Sequence, residues 1–158
     1  MTAVETRPNT LPWPPIVYVA AVAAAIVLNW LVPLPWIPGP LGELLFAVGW
    51  LVVGGALAID ITAMRTMARA KTTIMPNRGS DHLVTSGPFS FTRNPIYLGN
   101  TMLMIGIGLI AGIVWFILLA PVAAFVTQKL AIEREERHLE MRFGKKYRDY
   151  AKKVRRWI

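Results

Sequence analysis

The chain has no cysteine, which excludes a disulfide framework, thiolate catalysis and any zinc site built on thiolates. It has only two histidines, His82 and His138, too few for a multi-histidine metal centre, and no metal site is expected. Acidic residues are scarce, at 9 Asp+Glu against 17 Lys+Arg, for a net charge of +8. Long stretches lack charge of either sign: residues 16–34, residues 44–59 and everything between Arg93 and Lys129. The polar start, Met1–Pro15, lacks the basic residues of a signal peptide, so no cleavage is expected.

What fills those stretches is apolar. Of the 158 residues, 54% are hydrophobic, too many for an ordinary soluble domain of this size. The reading is one integral membrane domain over 1–158, an all-α helical bundle with four spans at about 16–34, 43–66, 96–111 and 113–131. Pro33, Pro35, Pro38, Gly39 and Pro40 force the first turn, with Trp30 and Trp36 at the headgroup boundary. Gly112 breaks the second half into a tight hairpin. The segment from Tyr97 to Ala111 makes a helix of only ~22 Å, short against a ~30 Å hydrocarbon core, and Gly99, Gly106 and Gly108 permit close helix contact.

Between the hairpins runs a polar connector, 70–95, with Pro76, Gly79, Gly87 and Pro88 and no helical period, so it is expected to be loop. After residue 131 the composition changes again. From Lys129 to the end there are 11 Lys+Arg and 5 Asp+Glu, leaving 6 and 4 for the rest. Leu139, Phe143, Tyr147, Tyr150, Val154 and Trp157 fall on one helical face, opposite Lys145, Lys146, Arg148, Lys152, Lys153, Arg155 and Arg156. Residues 132–158 therefore read as amphipathic helices, with Gly144 separating two pieces. Such a region suits anionic lipid headgroups rather than nucleic acid, and no nucleic-acid partner is expected. The basic residues flank the connector and tail but are absent from 32–42 and from the turn at Gly112. The positive-inside rule then puts both termini and the connector in the cytoplasm.

Polar groups dense enough for a site occur in the connector and at the start of the tail. Arg93-Asn94-Pro95 reads as a helix start, with Asn94 as side-chain cap and Pro95 at the first helical position. The free N–H groups of that end, beside Arg93, suit a carboxylate or phosphate, or form simply a well-capped helix. Glu133, Glu135 and Glu136 form either a solvated face self-paired with Arg134, Arg137 and Arg142, or a carboxylate cluster for a cationic or hydroxyl-bearing ligand. Tyr97 is a ligand-facing ring or an interfacial aromatic. Asp60 is either an interfacial carboxylate paired with Arg65 or a neighbour, or a site residue facing the bundle interior. His82, His138 and Glu140 read as surface residues.

In order along the chain stand Leu83-Val84-Thr85-Ser86-Gly87-Pro88-Phe89, Arg93-Asn94-Pro95-Ile96-Tyr97-Leu98-Gly99, Glu135-Glu136 with Leu139 and Phe143-Gly144, then Tyr147, Tyr150 and Val154. This pattern, over roughly 60–158, resembles that of the isoprenylcysteine carboxyl methyltransferase family and its wider group of phospholipid N-methyltransferases. The resemblance implies a membrane enzyme that uses S-adenosylmethionine (SAM) at the cytoplasmic face and takes a lipophilic substrate from the bilayer. Carried over, it makes Leu83, Val84, Gly87, Arg93, Asn94, Pro95, Tyr97, Glu135 and Glu136 cofactor-binding, with Arg93 and Glu136 the catalytic pair. Arg93 and the helix start suit SAM's carboxylate, a glutamate its ammonium or ribose diol, and Tyr97 or Phe89 its adenine or sulfonium. Many relatives have histidine where this chain has Asn94, and a histidine two residues before the Leu-Val pair where it has Asp81. Asn94 cannot titrate, so no proton-transfer role comes to that position. Two other readings stand beside this one: an NADPH-dependent membrane reductase of the sterol-reductase type, and a non-enzymatic lipid-binding membrane protein.

Overall fold

A computed structural model describes residues 11–71 and 82–158, and the described residues are helical with no strands. Pro76, Gly79 and Asp81 of the connector, like the first ten residues, lie outside them. Six helices follow in order: α1 (Trp13–Leu31), α2 (Gly39–Arg69), α3 (Pro95–Ala111), α4 (Val114–Thr127), α5 (Glu133–Phe143) and α6 (Lys145–Lys153). α1 begins before the expected residue 16, because Pro14 occupies its first turn, where a missing N–H costs nothing. It ends at Leu31, ahead of Pro33.

Three helices are long and apolar enough to cross a membrane: α1, α2 and the rod from Val114 to Phe143. α3 is apolar but shorter, at 17 residues. The rod is α4 and α5 joined without a loop by a π turn, Gln128–Ile132. Its apolar stretch ends there, and Glu133 onward is charged.

Packing follows where side chains are small. α2 and α3 form the tightest pair. A Cβ on Gly106 would lie 2.7 Å from Val53 Cγ2 and 3.1 Å from the Gly49 carbonyl oxygen, so the backbones meet closely. On the other side of α3, Tyr18, Ala25, Met104, Phe116, Ala120 and Ala123 make the core shared with α1 and α4. Tyr18 links this core to α3 by a hydroxyl–hydroxyl hydrogen bond with Thr101 at 2.6 Å.

The two short turns share one end of the bundle. The Trp36 ring lies over Gly112, and the Trp115 indole donates to the Val32 carbonyl at 2.8 Å. Gly112 turns there with φ +68, a left-handed conformation that favours glycine. The connector and the C-terminal helices therefore gather at the opposite end.

Two local expectations need correction. The connector is not all loop: Gly87–Ser90 forms a 3₁₀ turn packed on α2, where a Cβ on Gly87 would lie 2.7 Å from Thr66 Oγ1. The amphipathic tail does not remain helical to Trp157. Gly144, at φ +52, separates α5 from α6 as expected, but α6 stops at Lys153 and Val154 is extended. The extension exists because residues 155–157 are held elsewhere by long-range hydrogen bonds.

Candidate active site

Those bonds make a strap across the start of α3. The Arg93 N–H donates to the Arg155 carbonyl at 3.0 Å. The Arg156 carbonyl accepts from Asn94 Nδ2 at 2.9 Å and from Thr92 Oγ1 at 3.3 Å. The Trp157 indole donates to Gln128 Oε1 at 2.9 Å, reaching the π turn. Tyr150 adds a bond from its hydroxyl to the Phe89 carbonyl at 2.6 Å. The connector, the strap and the charged half of the rod are thus tied together.

α3 begins at Pro95, as the sequence indicates, but Asn94 does not cap it with its side chain. The amide is committed to the strap, and Asn94's own N–H is satisfied by Thr92 Oγ1 at 3.2 Å. Tertiary pairing has replaced local capping here. Thr92, which composition did not single out, is fully buried at this junction.

Glu136 is the electrostatic centre. Arg156 meets it in a two-pronged contact, Nε to Oε1 at 2.9 Å and Nη2 to Oε2 at 2.7 Å. Arg93 Nη2 adds an ion pair with Oε1 at 3.3 Å, and Arg93 Nη1 donates to the Tyr147 hydroxyl at 3.1 Å. Charge-assisted, bidentate contacts of this kind are the strong ones. The Glu136 bonds hold the Arg156 guanidinium above its ordinary pKa. Burial pushes the Tyr147 phenol up, with the Glu136 charge adding to it. Arg93 Nε is buried and has no hydrogen-bond partner among the described residues.

Glu135 points to another side. It accepts a hydrogen bond from the Tyr97 hydroxyl at 2.8 Å. Burial raises its carboxyl to about 7, opposed by the Tyr97 bond and assisted by the Glu136 charge. The folded protein therefore holds a proton that the unfolded chain releases at a carboxyl of 4.5. This contribution to stability is complete below about pH 4.5 and is lost as pH rises through about 7, on the order of 3 kcal/mol at most. Thermal midpoints in detergent should fall between pH 5 and pH 7.5, and Glu135→Gln should flatten that slope. A slope unchanged in the variant would assign it to another group.

Beside the two readings of the glutamates, self-paired with Arg134, Arg137 and Arg142 or clustered for a ligand, the described residues show further partners. Glu133 binds Lys129 at 2.7 Å, one turn earlier, while Glu135 and Glu136 reach across to Tyr97, Arg93 and Arg156. His138 is also not on the surface. It is 5% exposed, and burial, together with the Arg142 charge, lowers its pKa. Glu140 and His82 are exposed, as expected.

A cleft of about 610 Å³ lies between α5 and α6. Of the residues expected to bind the cofactor, Arg93 and Glu136 line it, together with Glu133, Arg137, Tyr147 and Arg156. Tyr97 and Glu135 form a neighbouring pair, since residues 135 and 136 point to different sides of α5. Asn94 and Pro95 build the junction. Leu83 and Val84 are half-buried in the connector, and Gly87 sits on α2 rather than at the cleft. Arg156 is the main residue that sequence reasoning missed. It was one basic residue among many in the tail, and nothing local marks its partner 20 positions away.

The donor set fits SAM on chemistry. A cation with a buried, unpartnered N–H, two carboxylates and a phenol in one neighbourhood match a zwitterionic amino-acid end beside a polar nucleoside. The family model for phospholipid methyltransferase matches residues 44–146, which spans α2, the connector, α3, the rod and the start of α6. An uncharacterized protein of Haemophilus influenzae is 38% identical over 63 residues, covering 40% of this chain and 79% of that protein. The chain belongs to the phospholipid methyltransferase family and is a membrane methyltransferase.

Proposed function

We propose that the protein transfers a methyl group from SAM to a lipophilic small molecule or lipid at the cytoplasmic face of the membrane. The observation that carries this reading is the Arg93–Glu136–Arg156 cluster at the junction of connector, α3 and strap. When bound, SAM supplies a methyl on a sulfonium for in-line transfer to a nucleophile.

Each residue then has a physical task. Arg93, with its unused Nε–H, receives the cofactor's carboxylate. Glu136 receives the ammonium. In the structure Arg156 holds that place on Glu136, and its side chain is 32% exposed, so it can swing outward. Tyr97 and Glu135 are a donor–acceptor pair for the ribose or adenine. The strap over α3 keeps water from the reacting atoms. Leu83 and Val84 supply connector backbone along the cofactor's edge, and Gly87 seats that connector on α2. Family membership favours this reading over a nicotinamide-dependent reductase or a non-enzymatic lipid binder.

The orientation belongs to the same proposal. Four spans, with α3 as the short one, put both termini and the connector in the cytoplasm and the 32–38 and 112–113 turns outside. A reporter at Pro38 should read non-cytoplasmic. On α6, Lys145, Lys146, Arg148, Lys152 and Lys153 are exposed while Tyr147 is buried, a face suited to anionic headgroups of the inner leaflet.

The direct test is transfer of labelled methyl from SAM to a total lipid extract by the purified protein, with identification of the product. Label should appear in an organic-soluble product. Label that never leaves SAM, across lipid extracts and soluble metabolite pools alike, would contradict the reading.

A further inference from the structure

Asp60 is the only charged residue between Glu43 and Arg65, at the connector end of the apolar course of α2. It is not paired with Arg65 among the described residues. Its carboxylate lies on the α2–α3 seam against Gly99. A Cβ at Gly99 would run into Oδ1 and lie 2.6 Å from Cγ and 2.9 Å from Oδ2. The absent side chain of Gly99 is therefore the space the carboxylate uses. Oδ1 is buried there and has no hydrogen-bond partner among the described residues. An acceptor oxygen so placed is costly unless something donates to it.

The surroundings define what could donate. Gly99 is one turn inside α3 from Pro95. Thr66, on which the connector's Gly87 rests, is six residues beyond Asp60, or ~9 Å along the helix. Asp60 thus lies just beneath the connector half of the proposed site. α2 packs against α3 and the 3₁₀ turn, and its outer face beside Asp60 is apolar and open: Leu57, Ile61 and Met64 are 46–47% exposed. A molecule reaching Asp60 from that side travels through lipid.

The geometry points to Asp60 as the positioning residue for the methyl acceptor, binding the N–H groups of a membrane-dissolved amine that enters along the α2–α3 seam. This rests on the methyltransferase reading and sharpens it. A carboxylate here attracts an amine and repels an acceptor whose nucleophile is itself a carboxylate.

The test uses the full chain in detergent, with labelled SAM and two acceptors of one chain length, dodecylamine and dodecanoic acid. Wild type should methylate the amine in strong preference. Asp60→Asn should raise the amine KM at least tenfold with a smaller change in kcat, and Asp60→Glu should restore part of it. Gly99→Ala, which displaces the carboxylate without removing it, should raise KM in the same direction. Thermal stabilisation by SAM should be unchanged in Asp60→Asn, which separates the two claims. If wild type is not stabilised by SAM, the methyltransferase site is wrong. If it is stabilised but the amine KM does not move, the role of Asp60 is wrong. A measurement on unmodified protein completes the test: dodecylamine should protect Asp60 from dicyclohexylcarbodiimide, read by mass spectrometry. Absence of protection, or preference for the acid acceptor, overturns the inference.

Discussion

Arg93→Ala should reduce methyl transfer by at least about 100-fold. Arg93 donates in two directions, through Nη1 to Tyr147 and through Nη2 to Glu136, and its third nitrogen, Nε, has no partner among the described residues. In the proposed complex that donor meets the cofactor's carboxylate. Hydrogen bonds to charged groups contribute ~1.5–3 kcal/mol each, so losing the cofactor contact together with the Glu136 contact gives a factor of roughly 10² to 10⁴. Arg93→Lys should not recover the activity, because an ammonium cannot reproduce a planar fork with divergent donors. Initial rates at saturating and limiting SAM would show the loss, with a large part of it in the SAM KM. A variant within fivefold of wild type would remove Arg93 from the site.

Glu136→Gln should lower both stability and activity. The substitution leaves Arg93 and Arg156 facing a neutral amide, with Glu136 only 16% exposed. Breaking a fully buried pair costs ~3–5 kcal/mol; with Arg156 at 32% exposure the cost here should be nearer ~2 kcal/mol. The strap should loosen as well, since Arg156 is anchored through its side chain to Glu136 and through its carbonyl to Asn94 and Thr92. Hydrogen exchange at Arg155–Trp157 should speed up in Glu136→Gln. In Arg156→Ala, Glu136 keeps Arg93, so cofactor binding should weaken far less than in Glu136→Gln. Equal loss in the two variants would mean that Arg156, rather than Glu136, contacts the ligand.

How much of this was legible in the sequence depends on how local the cause was. Pro95 as the first residue of α3, Gly112 as the hairpin turn and Gly144 as the break between α5 and α6 are set by backbone chemistry within a few residues, and each was readable. The apolar stretches gave the helices for the same reason. Asn94 shows the limit. Its local chemistry argued for a cap, yet its amide is used 62 residues away, and no spacing rule reaches that far. The tail shows it again. An aromatic period of four and three residues continued through Val154 and Trp157, but hydrogen bonds to 92–94 and to Gln128 draw that segment into an extended strap. Glu135 and Glu136 were visible as a pair. That they serve different partners follows from the 100° between successive residues on a helix, together with where α3 and the strap lie.

The same contrast explains Asp60. A lone carboxylate at the end of an apolar run suggested an interfacial pair with Arg65 or a neighbour, beside the alternative of a site residue facing the bundle interior. The close approach of α2 and α3 at Gly99 instead turns the carboxylate into the seam. Only the packing of two glycine-bearing helices decides between these arrangements.

The central claim is that connector, α3 start and strap form one cofactor site around Arg93 and Glu136. Calorimetric titration of SAM into the purified protein in detergent tests it most directly, with Arg93→Ala and Glu136→Gln alongside. Saturable binding near one per chain in wild type, abolished in both variants while their helical circular dichroism persists, is the predicted result. No heat of binding in intact wild type, or binding of equal affinity in all three proteins, would contradict it.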